Sequence, residues 1–135
     1  MPTINEARVL IYDEFISVWN NETPFDLDNK SFTEPESTPW VRTVVRNTIS
    51  NQDSLGPVGI RKFLRVGSVL TQIFTPIDTG VEESDRLSEI VRGIFEGVRL
   101  TGGLWFFATD VRELGRIGDY YQVTVESTFN YEQTK

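Results

Sequence analysis

Trp40-Val-Arg-Thr-Val-Val-Arg-Asn-Thr-Ile49, Asn51-Gln-Asp-Ser-Leu-Gly-Pro-Val-Gly59 and Phe63-Leu-Arg-Val-Gly-Ser-Val-Leu-Thr-Gln-Ile-Phe-Thr75, closed by Pro76, form the run whose reading decides the fold. The first segment alternates. Trp40, Arg42, Val44, Arg46 and Thr48 share one face, and Val41, Thr43, Val45, Asn47 and Ile49 share the other, more apolar one. The last segment is a second strand, broadly apolar on both faces, with Gly67 as a bulge or a point of close approach. A strand that needs cover on both faces is central in its sheet, or has one face buried in a partner. Between the two strands lies a hairpin loop of about residues 50–62. A compact domain seldom keeps about a dozen irregular residues at a hairpin tip unless they contact something.

Two helices flank this hairpin. The first is expected from about Ile4 to Asn20, where Thr3-Ile-Asn-Glu6 fits a capping box. Ala7, Leu10, Ile11, Phe15, Val18 and Trp19 keep helical spacing, and Val9, Tyr12 and Ile16 widen the stripe. Such a helix either packs on a sheet and touches a second surface, or is simply well buried. The second is expected from about Glu82 to Arg99, with Leu87, Ile90, Val91, Ile94, Phe95 and Val98 as its stripe. Thr79 and Glu82 suggest another capping box, and Thr101-Gly102-Gly103 breaks the helix. Its charged residues read as a solvated face.

Residues 21–39 are polar, carry Pro24, Pro35 and Pro39, and read as a long surface connection pinned by Phe25, Leu27 and Phe32. The last third reads as another hairpin. Leu104 to Val111 and Asp119 to Tyr131 are its strands, and Arg112 to Gly118 is its loop. The expected class is therefore α+β: one domain, residues 1–135, in the order α-β-β-α-β-β. Its antiparallel-rich four-stranded sheet has both helices on one face.

Composition narrows the chemistry. The 135 residues include no His and no Cys, which removes Ser-His and Cys-His nucleophiles, disulfides and the usual zinc ligands. Asp26, Asp28 and Asn29 form the nearest approach to a cation site, without EF-hand spacing or its glycine. No phosphate-binding glycine motif occurs, and no cofactor is expected. No run of about 18 apolar residues suggests a membrane span, and the first residues do not read as a secretory signal. With 13 basic and 20 acidic residues the net charge is −7, which argues against binding a nucleic-acid backbone. Trp105, Phe106 and Phe107 therefore read as core rather than as a base-stacking platform. The sequence points to a protein that works by shape and contact rather than catalysis. Within the loop, Leu55 and Val58 are candidate apolar anchors, with Arg61, Lys62 and Arg65 as nearby charges; the alternative is a flexible hairpin end.

The order of several short motifs resembles the phage tail terminator-like family, also described as a bacteriophage-related domain of unknown function. Those motifs are Val18-Trp19, Pro39-Trp-Val-Arg42, Ser54-Leu-Gly56, Arg61-Lys-Phe63, Arg65-Val-Gly67, Gln72-Ile-Phe-Thr-Pro76, Gly80, Tyr121-Gln-Val123 and Phe129-Asn-Tyr131. The resemblance implies a structural virion protein. It would form a homohexameric ring that caps the tail tube, ends tube elongation and presents the head-joining surface. It further implies a tail tube protein and a head–tail connector protein as partners. DNA would pass through the ring without sequence-specific binding, and no membrane would be involved. The implied location is the head-proximal end of the tail, reached from the host cytoplasm during assembly. By the same resemblance Leu55, Gly56, Pro57, Val58 and Arg61 belong to a subunit or tube contact. Two alternatives stand beside it. One is another head–tail joining protein, of the neck or head-closure kind. The other is a small-molecule-binding α+β domain, which would show a deep pocket lined by Trp40, Trp105 or tyrosines with convergent carboxylates.

Overall fold

The computed structural model describes residues 3–27, 32–35 and 38–135. Its elements run α1 (Ile4–Trp19), β1 (Phe25–Leu27), β2 (Trp40–Gln52), β3 (Lys62–Pro76), α2 (Glu82–Phe95), β4 (Arg99–Leu100), β5 (Leu104–Ile117) and β6 (Tyr120–Thr134). The class is α+β, but the expected four-stranded antiparallel sheet is wrong. A six-stranded mixed sheet, ordered β1-β2-β3-β6-β5-β4, curls into a half-barrel. β1 runs parallel to β2, and the remaining pairs are antiparallel. The two unforeseen strands are short edge pieces of three and two residues. β1 sits in the proline-bearing connection, and β4 follows the residue where the second helix stops early. Neither is long enough to show a period.

α1 starts as the sequence suggested. The Glu6 amide donates to the Thr3 hydroxyl at 3.3 Å, and that hydroxyl donates to the Glu6 carboxylate at 3.0 Å. The helix buries Ala7, Ile11, Phe15 and Trp19, one row at four-residue spacing, and leaves Val9, Ile16 and Val18 exposed. The wide apolar stripe is therefore only partly buried. α2 departs from expectation at both ends. Thr79 turns back to donate to the Pro76 carbonyl at 2.7 Å, so Val81 caps the helix without a side-chain bond. The helix stops at Phe95 because Glu96 turns extended and Gly97 takes a φ of 69°. Gly97 then donates to the Phe107 carbonyl.

Both helices and the inner face of the sheet share one core. Ile11, Phe15 and Trp19 of α1 meet Leu87, Val91, Ile94 and Phe95 of α2 over Val45, Ile73, Val125 and Phe129. Two hydroxyl pairs lie buried in the sheet: Thr43 with Thr71 at 3.3 Å, and Thr109 with Ser127 at 3.0 Å. Each of these four hydroxyls thus has a partner. On the outer face Trp40 stacks on Phe74 with ring centroids 4.1 Å apart, and Tyr120 meets both rings edge-on. Phe32 packs on Trp40, and the Tyr120 hydroxyl donates to the Pro35 carbonyl, so the 21–39 connection covers this cluster. Of the aromatic run in β5, Phe106 is core, Trp105 half-buried and Phe107 exposed.

Bulges explain why the strands outrun expectation. Leu114 is the extra residue between the Glu113 and Gly115 pairings, and Gly115 takes a φ of 88°. β5 therefore continues through the segment read as a loop, and only Gly118 and Asp119 turn the chain. In β2 the extra residue is Thr48, beside the pair Asn47 and Gly67. A Cβ on Gly67 would lie 2.5 Å from the Arg46 carbonyl oxygen and 2.7 Å from the Phe129 ring.

Gly67→Ala is expected to destabilise the fold by about 1–3 kcal/mol, because backbone and a buried ring must both shift. Gly93→Ala, in the exposed interior of α2 with open space around it, should stabilise by roughly 0.5–1 kcal/mol. Urea unfolding of the pair checks both signs. A second expectation concerns the Arg86 bridge, which joins Glu83 and, across to the α1–β1 turn, Glu22. The hydrogen bond from Arg86 holds the Glu83 carboxyl below its usual range, against a smaller opposing effect of burial. That contribution is complete above the ordinary carboxylate pKa and disappears as pH falls through the lowered one. Arg86→Gln should therefore shift acid unfolding to higher pH, as read by circular dichroism.

Candidate functional site

Beyond Val45 the β2–β3 hairpin leaves the helices behind, and every β2 residue from Arg46 to Gln52 is exposed. Its tip is the loop of residues 53–61. The five residues singled out from the sequence lie together there. Leu55 is 91% exposed and Val58 83%, and Ile60, which sequence reasoning passed over, is 63% exposed. Three apolar side chains this open on one loop form a contact surface that solvent does not favour.

The loop is nonetheless held in shape by the main chain. The Asp53 and Ser54 amides both donate to the Lys62 carbonyl, the Lys62 amide donates to the Ser54 hydroxyl, and the Ile60 amide closes a turn on Pro57. Gly56 and Gly59 take φ values of 147° and 100°, which a side chain would resist. Arg61 and Lys135 exchange backbone hydrogen bonds, extending the β3–β6 ladder by one pair. The Arg61 guanidinium adds a bond to the Lys135 carbonyl and lies over the Phe63 ring. Arg61 is thus a half-buried brace at the base of the tip.

Two stretches of strand edge are open. β1 pairs with β2 only from Val41 to Thr43, and β4 pairs with β5 only at Leu104 and Trp105. The outer edges of distal β2 and of β5 from Thr109 onward therefore have no strand beside them among the described residues. Unpaired edges are templates for strand addition unless they are blunted, and the bulges at Thr48 and Leu114 each interrupt one of them.

A cleft of about 670 Å³ lies at the same end of the molecule, between the first turn of α1 and the inner face of the hairpin. Thr3, Ile4 and Asn5 form one wall, Asn47 to Ser50 another, and Arg65, Tyr131 and Gln133 the floor. The sequence marked Arg65 as a charge near the loop and Tyr131 as part of a motif, without connecting the two. Nothing in one sequence announces that residues 66 positions apart face each other, but the register pairs them.

The remaining candidates separate. Asp26 is paired with Arg42 at 2.9 Å, while Asp28 and Asn29 lie outside the described residues. Among the described residues no group of three or more acidic side chains is placed to hold a metal ion, and no helix is long and apolar enough to cross a membrane. Trp40 has one face occupied by Phe74, and Arg99 lies over the Trp105 ring.

No protein-family profile matches the chain, and no curated protein matches it in sequence. Solved structures do. One, known only by a sequence label, aligns with a TM-score of 0.66 at 16% identity, covering 95% of this chain and 96% of its own. Another is a chain from the virion of a native gene transfer agent particle, with a TM-score of 0.52 at 11% identity, covering 93% of this chain and 94% of its own. At such identities the likeness establishes a shared fold over nearly the whole chain.

Because Leu55 and Val58 contribute almost nothing to the core, Leu55→Asp combined with Val58→Asp should leave the unfolding free energy of the isolated chain within about 0.5 kcal/mol of the parent. Urea unfolding at neutral pH measures this, and a larger loss would show that the tip packs on its own domain.

Proposed function

We propose that this chain is a non-catalytic structural subunit of a phage virion, a tail terminator that assembles into a ring on the end of the tail tube, stops tube growth and offers the head-joining surface. The observation that carries the reading is the division of the molecule: a closed helix-on-sheet core and, projecting from it, a braced tip with three exposed apolar side chains. A subunit that works by assembly needs a rigid body, a preshaped contact loop and an unpaired edge, and needs no reactive side chain. The motif resemblance and the fold shared with a chain of a virion particle support the same reading. Its partners would be further copies of itself, the tail tube protein and a connector on the head side. The surplus of 20 acidic over 13 basic residues suits a ring through which DNA passes without adhering. Leu55, Gly56, Pro57, Val58 and Arg61 would form the subunit or tube contact.

Mass photometry and negative-stain imaging of the purified chain, alone and with purified tail tubes, provide the test. Sixfold rings, or rings capping tube ends, are expected for the parent. The Leu55→Asp, Val58→Asp double variant should lose them while remaining folded. Rings formed equally well by the variant would remove the tip from the interface. A chain that neither assembles nor binds tubes would overturn the reading as a whole.

A further inference from the structure

At and near the floor of the cleft beside the first turn of α1, two buried donor atoms have no acceptor among the described residues. Tyr131 is fully buried, lines the cleft floor, and its hydroxyl has no partner among the described residues. Arg65, its register partner on β3, gives its Nε and Nη2 to the neutral side-chain oxygen of Gln133 at 3.4 and 3.2 Å and meets no carboxylate. Behind them Arg8 donates to the Val45 carbonyl at 3.4 Å while its buried Nε has no acceptor. Burial raises the Tyr131 pKa above its ordinary value and outweighs the lowering by the Arg65 and Arg8 guanidinium groups, so the hydroxyl remains a proton donor at neutral pH. The cleft wall adds the start of a 16-residue helix, where Ile4 and Asn5 precede the first amide with an acceptor inside the helix. The acid in that turn, Glu6, is engaged by Thr3.

Leaving a buried donor unsatisfied costs about 1–3 kcal/mol. One such donor on the cleft floor, a second on Arg8 nearby, the Arg65 cation and a helix N-terminus describe a site completed by a negatively charged acceptor. We propose that this cleft is a carboxylate-binding site and that a second copy of the chain supplies the carboxylate. Size favours a protein group over a free ion, since about 670 Å³ holds a carboxylate together with the segment that bears it. Position favours another copy. One cleft wall, Asn47 to Ser50, lies on the open edge of β2, on the hairpin that ends in the exposed apolar tip. Charge agrees. Arg61, Lys62, Arg65 and Lys135 at this end form no ion pair among the described residues, in a chain of net charge −7 that has carboxylates to spare elsewhere. Asp110 and Glu113 on the open edge of β5 are among those without a cation partner. The proposal rests on the self-assembly part of the functional reading but not on the tail tube.

Tyr131→Phe and Arg65→Gln test it, singly and together. Self-association is followed by sedimentation velocity, folding by thermal melts, and the cleft by amide NMR with glutarate and with sulfate as free probes. Glutarate should shift the amides of Asn5, Arg65 and Tyr131 in the parent and not in the double variant. Each substitution should weaken self-association by about tenfold, the effect of one lost hydrogen bond to a charged group. Tyr131→Phe should leave the melting temperature of the monomer unchanged or raise it, which a purely structural role for the hydroxyl would not allow. If rings form equally well in parent and double variant, the cleft inference is overturned while the ring reading stands. Free anions that bind without any effect of the variants on assembly would overturn the second copy as occupant. A parent chain that stays monomeric in solution and forms no rings on tail tubes would overturn both.

Discussion

The pairing of β3 with β6 is the constraint on which the rest of the molecule depends. It runs unbroken from Lys62 opposite Thr134 to Pro76 opposite Tyr120, and it joins two segments separated in sequence by α2, β4 and β5. Every other strand is attached to one of these two. β2 folds back on β3 and β5 on β6, and the short edge strands are added outside them. Because the pairing is non-local, its register cannot be set by a turn. It is set by what each face must bury: Ile73 with Val123, Thr71 with Val125 and Gly67 with Phe129 on the inside, Phe74 with Gln122 on the outside. A slip of one residue would exchange these faces. Gly67 makes the register tighter still, since its missing side chain is where the Phe129 ring and the Arg46 carbonyl come together. Pairing of this separation closes slowly, and the two local hairpins are the natural units from which it grows.

Much of the fold could be read in the sequence because its main elements are long and periodic. The buried row of α1, the stripe of α2 and the alternation of β2 and β6 all carry their period over ten or more residues. What could not be read was short or depended on tertiary contact. β1 has too few residues for alternation to appear, and its side chains are placed by α1, where Phe15 meets Phe25 edge-on. The end of α2 was obscured because Val98 continues the helical spacing, whereas Gly97 and the backbone pairing of Phe106 with Val98 draw the chain into the sheet. The loop read between Arg112 and Gly118 is strand because a bulge absorbs Leu114, an event that composition does not signal. The tip was legible as a loop with apolar content. The cleft was not legible at all, since it is assembled from the start of α1, distal β2 and the far ends of β3 and β6.

The molecule divides its stability unevenly. The core end is closed by two helices, an aromatic cluster on the outer face and the Arg86 bridge between α2 and the α1–β1 turn. The hairpin end has almost no cover beyond its own ladder and the first turn of α1, so local opening should concentrate there. Yet that end is where the tip is braced by Lys62, Ser54 and the exchange between Arg61 and Lys135. A loop whose hydrogen bonds are already made loses less entropy when it docks, so more of its apolar burial is expressed as affinity.

The hairpin end also carries unsatisfied donors. The Tyr131 hydroxyl lies near Arg8 and Arg65 and has no acceptor among the described residues. The free chain bears that cost at the end where it is least supported and where its apolar side chains are most exposed. The proposed assembly would resolve both features at once. Covered by another subunit, Leu55, Val58 and Ile60 would leave water, and the donors around Tyr131 would gain an acceptor that the described residues do not offer.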